Sequence, residues 1–287
     1  MTFFRGAGYL EGVPTDVSPI GMLDSGLGGL SILREVRRQL PHEDVLYFAD
    51  QGHVPYGVRD IAEIRDFVRV ITRFFLDRHA KAVVIACNAA SAAALHHLRE
   101  VFPDVPFVGM EPAVKPAAAS TRAGAIGVLT TAATYQGELF ASVLAQFAKD
   151  VRVVTQVCPE FVSLVEAGEV DGSRVRRVAQ AYLEPVLASG VDQLVLGCTH
   201  FPFLAKVLSE IAGPEITVVD PSPAIARQTA RVIADRVHPP DHQGSTTFFT
   251  TKDPDRLQEV ASKLLGERVP PTQVVEVRWI DGTLVCI

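Results

Sequence analysis

The 287-residue chain has no surplus of positive charge. Its 27 lysines and arginines are outnumbered by 33 aspartates and glutamates, and the formal net charge at pH 7 is -6. Proteins that hold a nucleic acid or an anionic lipid surface depend on clustered basic side chains. The composition therefore argues against nucleic acid as the primary partner and indicates an ordinary globular protein, long enough for two compact domains.

Long apolar runs are also missing. No stretch reaches the roughly 18 apolar residues of a membrane-spanning helix. The segment 1–19 carries Arg5, Glu11 and Asp16 and has no continuous apolar core, although a secretory signal peptide needs one. We therefore expect no membrane partner and a cytoplasmic location.

Cysteine is scarce, and its positions are informative. A reducing cytoplasm favours free thiols over a disulfide framework. Cys87 and Cys198 each end a short apolar run, whereas Cys158 and Cys286 have no such setting and are assigned structural roles. The two thiols at run ends are separated by about 110 residues, and a second matching pair of segments has nearly the same offset. The chain is thus predicted to contain two similar halves with one thiol in each.

Short runs rich in valine, isoleucine and leucine alternate with longer patterns of helical period. This alternation is typical of a mostly parallel sheet with helices on both faces. We predict strands near 20–24, 45–49, 82–87, 106–110, 125–130, 151–157, 193–198 and 216–220, and helices near 30–40, 61–79, 173–188 and 255–265. Residues 246–250 are β-prone, residues 238–244 are predicted to form a loop, and residues 274–280 are strand-like without a predicted place.

The predicted fold class is therefore α/β. We expect two similar open domains with mostly parallel sheets, related by pseudo-two-fold symmetry, with the active site in the cleft between them. Proline-containing segments at 111–116 and 220–223 are interpreted as crossovers. Domain 1 then comprises residues 1–111 with 221–287, and domain 2 comprises residues 112–220.

Ligands of open α/β sheets bind at the carboxyl ends of the strands. Cys87 and Cys198 end predicted strands in the two halves, so their thiols are expected on opposite walls of one crevice. An acid and a base on opposite faces of a substrate are what inversion of a carbon centre requires. His200 lies two positions after Cys198 and can relay its proton or stabilise its thiolate.

Two other interpretations of these motifs are weaker. The stretch Asp24–Gly29 lacks the G-x-G-x-x-G spacing of a dinucleotide loop, and a carboxylate at its mouth would repel a pyrophosphate. Its glycines could instead let backbone N–H groups approach a ligand carboxylate. Cys87, Cys198 and His200 are acceptable zinc ligands, yet they lack the spacing of known zinc motifs, so no metal site is assigned.

Polar side chains are expected at the other strand ends. Thr131 and Thr134, with Asn88 and Thr199, would supply hydroxyl and amide groups there. Each alone could be a helix cap. Together they are typical of a cage for an α-amino acid.

The motifs taken together resemble those of glutamate racemase, the cofactor-independent enzyme that makes D-glutamate for bacterial peptidoglycan. The resemblance extends from Ile20 to Gly266 and rests on Asp24-Ser25-Gly26-Leu27-Gly28-Gly29, Pro55-Tyr56-Gly57, Cys87-Asn88-Ala89-Ala90-Ser91, Thr131-Ala132-Ala133-Thr134, Cys158-Pro159-Glu160-Phe161-Val162 leading to Glu166, and Gly197-Cys198-Thr199-His200-Phe201-Pro202.

This resemblance implies a two-base mechanism with no cofactor. Cys87 would remove the α-proton of D-glutamate and Cys198 that of L-glutamate. Asp24 would assist Cys87, and His200 with Glu166 would assist Cys198. The substrate would be held by Ser25, Pro55, Tyr56, Gly57, Asn88, Ala89 through its backbone N–H, Thr131, Thr134 and Thr199.

The chain departs from the family pattern at two positions. Ala89 stands where a threonine that touches substrate is common, and Phe201 stands where tyrosine is usual. One lost hydroxyl donor costs about 1 kcal/mol of binding. Reaction type is therefore predicted more firmly than substrate choice.

Alternatives remain open at this stage. An aspartate or broader amino-acid racemase of the same superfamily would differ in what surrounds the side-chain carboxylate. A non-catalytic amino-acid-binding protein would keep the cleft but gain nothing from two opposed thiols. A zinc hydrolase is the third alternative. Oligomeric state is not determined by the sequence, and a homodimer is one option.

Overall fold

The computed structural model of the protein describes residues 16–136 and 138–287. Most of the segment 1–19, for which the sequence predicted neither signal peptide nor anchor, lies outside these residues. Across the described ranges, no helix combines the length and apolar character that crossing a bilayer demands.

Eleven strands are present among the described residues. They are β1 (Ile20–Asp24), β2 (Val45–Ala49), β3 (Ala82–Ile85), β4 (Phe107–Gly109), β5 (Ala125–Thr130), β6 (Arg152–Val157), β7 (Gln193–Leu196), β8 (Thr217–Val219), β9 (Thr246–Thr250), β10 (Val274–Ile280) and β11 (Thr283–Cys286).

Eleven α-helices connect and cover the strands in the described parts of the chain. They are α1 (Leu30–Gln39), α2 (Ile61–Leu76), α3 (Asn88–Val101), α4 (Val114–Ser120), α5 (Ala132–Gln136), α6 (Glu138–Phe147), α7 (Pro159–Glu166), α8 (Ser173–Ala188), α9 (Ala205–Ala212), α10 (Ser222–Val232) and α11 (Pro254–Leu265).

The strands form two sheets with a repeated topology. The first sheet has the order β11-β10-β9-β2-β1-β3-β4, and the second has the order β6-β5-β7-β8. The β2-β1-β3-β4 part of the first sheet is parallel and matches the whole of the second, strand for strand. The predicted α/β fold with two similar, mostly parallel sheets is confirmed.

The central strands of the two sheets explain the apolar runs in the sequence. Every residue of β1 and β5 is buried, because helices cover both faces of each sheet. One apolar core runs without interruption from α1, beside β1, to the turn after β7, which brings the carboxyl ends of the two sheets together.

All eight predicted strands are present, with ends shifted by a residue or two. β3 and β7 stop at Ile85 and Leu196, so Cys87 and Cys198 lie two residues beyond the strands. The strand-like segment 274–280, which had no predicted place, is β10 and pairs in parallel with β9. The hairpin strand β11 was not predicted. The domain boundaries at 111/112 and 220/221 stay a prediction.

Candidate active site

A cavity lies where the carboxyl ends of both sheets meet. The cavity is narrow, with a volume of about 30 Å³. It is lined by Ser25, Pro55, Tyr56, Gly57, Cys87, Asn88, Ala89, Thr131, Thr134, Val162, Cys198, Thr199 and His200. Apart from Asp24 and Glu166, which lie behind this wall, every predicted site residue faces the cavity.

Cys87 occupies the N-cap of α3. Its Sγ accepts a hydrogen bond from the backbone N–H of Ala90 at 3.5 Å, and lies 3.8 Å from Oγ of Ser25. Burial raises the pKa of this thiol to about 12, and the nearby Asp24 carboxylate adds to the rise. The N–H contact at the start of α3 favours the thiolate, but desolvation of the buried sulfur outweighs it.

Cys198 begins a chain of polar contacts that ends on α7. Its Sγ lies 3.6 Å from Nδ1 of His200, and Nε2 of the same ring lies 2.7 Å from Oε1 of Glu166. Leu27 donates its backbone N–H to that carboxylate oxygen at 2.7 Å. The ring is thereby fixed in orientation, with one nitrogen on the thiol and the other on a carboxylate.

The two partners in this chain shift each other's proton affinity. Burial lowers the pKa of His200, but its hydrogen bonds to Cys198 and Glu166 outweigh burial and raise that pKa well above its ordinary value. Burial likewise raises the pKa of Glu166, and the hydrogen bond and positive charge of His200 outweigh it and lower the pKa. The geometry therefore favours an imidazolium–carboxylate pair beside the Cys198 sulfur.

Asp24, at the end of β1, is fully buried behind the cavity wall. Its Oδ2 accepts the N–H of Gly26 at 2.9 Å, and its Oδ1 accepts the hydroxyl of Thr199 at 3.2 Å. Burial raises its pKa, although the positive charge of His200 opposes the rise. Within the described residues Asp24 makes no hydrogen bond to Cys87, so it acts on that thiol through its charge.

The glycines after β1 allow the two halves to approach closely. A Cβ at Gly26 would overlap the carboxylate of Glu166, and a Cβ at Gly28 would overlap the imidazole of His200. The N–H groups of Gly26 and Leu27 donate to Asp24 and Glu166. The sequence suggested that these N–H groups meet a ligand carboxylate; two of them instead hold carboxylates of the protein.

Asn88 has a buried amide with no partner in the described protein. It is 3% exposed, yet neither its Oδ1 nor its Nδ2 has a hydrogen-bond partner in the described protein. Leaving a buried amide unpaired costs about 1–3 kcal/mol. Since Asn88 lines the cavity, its amide is available to a polar ligand there.

The remaining predicted groups are placed as follows. The hydroxyls of Thr131 and Thr134 contact each other at 3.0 Å, and both side chains line the cavity. The hydroxyl of Tyr56 donates to Oδ2 of Asp50 at 2.7 Å, so its ring rather than its oxygen is free for a ligand. Ala89 lies on the wall.

Phe201 does not line the cavity. It is fully buried, and its ring meets that of Phe161 edge to face with centroids 5.2 Å apart. The absence of a tyrosine hydroxyl at this position therefore removes no donor from the cavity wall, whereas alanine at position 89 leaves the wall without a side-chain donor there.

The sequence missed three residues of the site. Val162 contributes an apolar wall, Asp50 holds Tyr56, and Gln51 donates to Oε2 of Glu166 at 3.3 Å. Asp50 and Gln51 directly follow β2, so the rule that ligand-site residues follow strand ends would have found them. Among the described residues, Cys87, Cys198 and His200 do not form a group with donor atoms close enough to share one metal ion.

Comparison with known proteins places this geometry in a family. The family model described as Asp/Glu/Hydantoin racemase matches residues 20–229. Glutamate racemase of Stutzerimonas stutzeri (strain A1501) is 45% identical over 250 residues, which cover 87% of this chain and 95% of that protein.

Solved structures of glutamate racemases are also similar to this chain. Glutamate racemase isoform RacE1 from Bacillus anthracis superposes with a TM-score of 0.82 at 30% identity, covering 93% of this chain and 98% of that one. Escherichia coli glutamate racemase, solved with L-glutamate and the activator UDP-MurNAc-ala, gives a TM-score of 0.78 at 31% identity, covering 96% and 100%. With its motifs, its repeated sheets and its relatives in agreement, the chain belongs to the Asp/Glu/hydantoin racemase family and, within it, to the glutamate racemases.

Proposed function

We propose that the protein interconverts L-glutamate and D-glutamate by proton transfer between two thiols, without a cofactor. The observation that carries the proposal is that Cys87 and Cys198 follow equivalent strands of the two sheets and line the same cavity. Two acid–base groups on opposite walls suit the removal of a proton from one face of a carbon and its delivery to the other.

In the direction from L- to D-glutamate, Cys198 as thiolate takes the α-proton, and the Cα–H electron pair passes into the α-carboxylate. The thiol of Cys87 then gives its proton to the opposite face and becomes a thiolate. The raised pKa of Cys87 keeps it protonated until this step. The reverse direction begins with the roles exchanged, and the numbers of protons and electrons are conserved throughout.

His200 and Glu166 support the Cys198 side of this reaction. A positively charged imidazole 3.6 Å from the sulfur stabilises the thiolate that must be present before L-glutamate reacts. Glu166 does not line the cavity; it acts through His200 as a positioning residue. Asp24 is proposed to influence Cys87 through its charge.

The substrate's own charge must also be held. An α-proton of an amino acid is weakly acidic, so the site needs donors directed at the charge that develops on the carboxylate. The unpaired amide of Asn88 and the hydroxyls of Ser25, Thr131 and Thr134 line the cavity. Thr199 lines it too, with its hydroxyl donated to Asp24. We propose that these groups, with Pro55, Tyr56, Gly57 and the backbone at Ala89, bind the substrate.

The choice of glutamate rests on the relatives, one of which binds L-glutamate in its solved structure. We further propose that the protein works in the cytoplasm, where D-glutamate is consumed in peptidoglycan synthesis. A homodimer is a separate proposal, which sedimentation of the purified protein tests.

The experiment is racemisation of L- and D-glutamate, followed by polarimetry, beside L- and D-aspartate. The protein is first dialysed against chelator, and no pyridoxal phosphate is added. Interconversion of the glutamates alone supports the proposal. Preference for aspartate would change the substrate, and activity that returns only with zinc or pyridoxal phosphate would overturn the mechanism.

A further inference from the structure

Three side chains of types that can bind metal ions converge at the end of the first sheet opposite the cavity. Asp44 immediately precedes β2, and His238 and His242 lie in the loop that leads into β9, the parallel neighbour of β2. One ligand atom from each residue lies within 4.8 Å of the other two. His238 and His242 are four positions apart in the sequence, but Asp44 lies 198 positions from His242, so no sequence motif reveals the cluster.

The distances are those of a coordination site. Oδ2 of Asp44 lies 3.1 Å from Nε2 of His242 and 3.5 Å from Nε2 of His238. Ligand atoms around a tetrahedral zinc ion, with bonds of about 2.0–2.1 Å, are separated by roughly 3.3 Å. The two imidazole rings are stacked with centroids 4.6 Å apart, and the Nε2 atom of each lies within 3.5 Å of the same carboxylate oxygen.

His238 is the independent sign of a ligand. It is 3% exposed, and its Nε2 has no hydrogen-bond partner in the described protein. Its Nδ1 lies 2.9 Å from Oε2 of Glu43, which also accepts the backbone N–H of His238 through Oε1. Nζ of Lys81 also lies 3.1 Å from Nδ1, and it pairs with the same oxygen of Glu43. When the ring proton is on Nδ1 and is donated to Glu43, the Nε2 atom presents a lone pair to the cluster.

A lone pair that faces a carboxylate oxygen is unfavourable unless a proton or a metal ion lies between the two atoms. The arrangement of Glu43 behind His238 is also the one that orients metal-bound histidines in many proteins, where a carboxylate accepts the N–H that points away from the metal. Lys81 pairs with Glu43 at 2.7 Å and cancels its charge. The donor set then carries the single negative charge of Asp44.

Hydrogen bonds from Ser245 hold one carboxylate oxygen of Asp44. Its Oδ1 accepts the backbone N–H of Ser245 at 2.8 Å and the hydroxyl of Ser245 at 2.7 Å, which leaves Oδ2 for the cluster.

We propose that Asp44, His238 and His242 form a binding site for a divalent transition-metal ion, with Zn²⁺ the best match to two imidazoles and one carboxylate. A surface cavity of about 580 Å³ adjoins His242 and leaves a fourth position to water. The ion fastens the loop before β9 to the start of β2. It lies at the opposite strand ends from the thiols and takes no part in proton transfer.

The test uses the full chain, stripped with chelator, and measures Zn²⁺ binding by calorimetry and the Tm with and without Zn²⁺. At about 100 times the Kd we expect the Tm to rise by roughly 5 °C. His242→Ala and Asp44→Asn should each lose one equivalent of bound zinc and this rise. His96→Ala is the control, because His96 is an exposed histidine on α3 that pairs with Glu100 and not with the cluster.

Cobalt(II) separates this site from the thiols. Bound to imidazole and carboxylate it should show visible d–d bands without thiolate charge-transfer bands, and His242→Ala should remove them. Zinc binding that survives both His242→Ala and Asp44→Asn, or cobalt spectra with thiolate bands alone, would overturn the proposal. So would a Tm that depends on pH through the histidine range but not on zinc, since a proton would then bridge the cluster. Racemisation should be unchanged in His242→Ala, so this result does not depend on the proposed function.

Discussion

Nε2 of His200 lies 2.7 Å from Oε1 of Glu166, and this contact joins the turn after β7 to the last residue of α7. The same carboxylate accepts the N–H of Leu27 from the loop after β1. A single carboxylate thus ties together residues that follow strands of both sheets. The contact shifts the pKa of both residues, so its contribution to stability depends on pH and can be measured.

Glu166→Gln should lower the free energy of unfolding by about 2 kcal/mol, the scale of a hydrogen bond between charged groups, with a defined pH dependence. The lowered pKa of Glu166 contributes stability above its ordinary value of 4.5 that is lost as pH falls. The raised pKa of His200 contributes stability below its ordinary value of 6.5 that is lost as pH rises. The difference in stability from wild type should therefore be largest between about pH 4.5 and 6.5 and decline on both sides.

Chemical denaturation of both proteins across this pH range measures the difference. His53→Asn is a control, because His53 pairs with the buried Asp50 and not with the His200 chain. The pH range in which the His200–Glu166 pair contributes most stability should be the same in this variant. A stability difference that is flat with pH would mean that the pair does not carry opposite charges.

Cys87→Ser and Cys198→Ser should each abolish racemisation, by at least about 10³-fold, because every turnover needs an acid and a base on opposite sides. Each variant should still remove the α-proton of one enantiomer of a glutamate analogue with a β-leaving group, and the two variants should prefer opposite enantiomers. Elimination is measured by the keto acid that forms.

The other two thiols provide the controls. Cys158 is buried but does not line the cavity, and Cys286 is exposed on β11, so Cys158→Ser and Cys286→Ser should retain racemisation. If either cavity variant racemised glutamate near the wild-type rate, the assignment of one thiol to each face would be wrong.

Alkylation should reveal the protonation state of Cys87. With its pKa raised to about 12 by burial and by Asp24, only about one molecule in 10⁴ carries the thiolate at pH 8. The rate of labelling with iodoacetamide, followed at this residue by mass spectrometry, should rise about tenfold per pH unit between pH 8 and 10. Asp24→Asn should increase the rate at fixed pH. Labelling that is already independent of pH at 8 would contradict the buried thiol.

Asn88→Ala should separate function from stability. Its amide has no partner in the described protein, so its removal should leave the Tm unchanged or raise it. The KM for glutamate should rise about tenfold, which corresponds to about 1.4 kcal/mol. Ser91→Ala is the matched control one turn later, because Ser91 donates to Ile85 and accepts from Met110; it should lower the Tm. A lower Tm in Asn88→Ala would mean that its amide is satisfied within the protein.

Isotope effects should distinguish the two sides of the site. Asp24→Asn is expected to enlarge the α-deuterium effect mainly with D-glutamate, and His200→Asn mainly with L-glutamate, each with a loss of about 10²-fold in rate. The equilibrium constant between the two enantiomers is one, so the kcat/KM values for D- and L-glutamate must stay equal. A difference between the two sides of the site can therefore be seen only in the isotope effects and in the separate kcat values. Equal effects with both enantiomers would show that the two residues only position substrate.

The sequence by itself determined the architecture and most of the cavity wall. Apolar runs of four to six residues fixed where strands lie, because buried parallel strands require them on both faces. The repeat of about 110 residues predicted two matching sheets, and polar residues after strand ends predicted which side chains would meet. These patterns can be recognised in the sequence itself, without knowing how the chain packs.

Only the tertiary structure decided the contacts between distant segments. The sequence could not show that the glycines at 26 and 28 admit Glu166 and His200, or that burial would hold Cys87 as a neutral thiol. Desolvation and hydrogen-bond partners depend on what packs around a group, and those neighbours lie up to about 200 positions away. For the same reason the cluster of Asp44, His238 and His242 became visible only when two parallel strands brought its parts together.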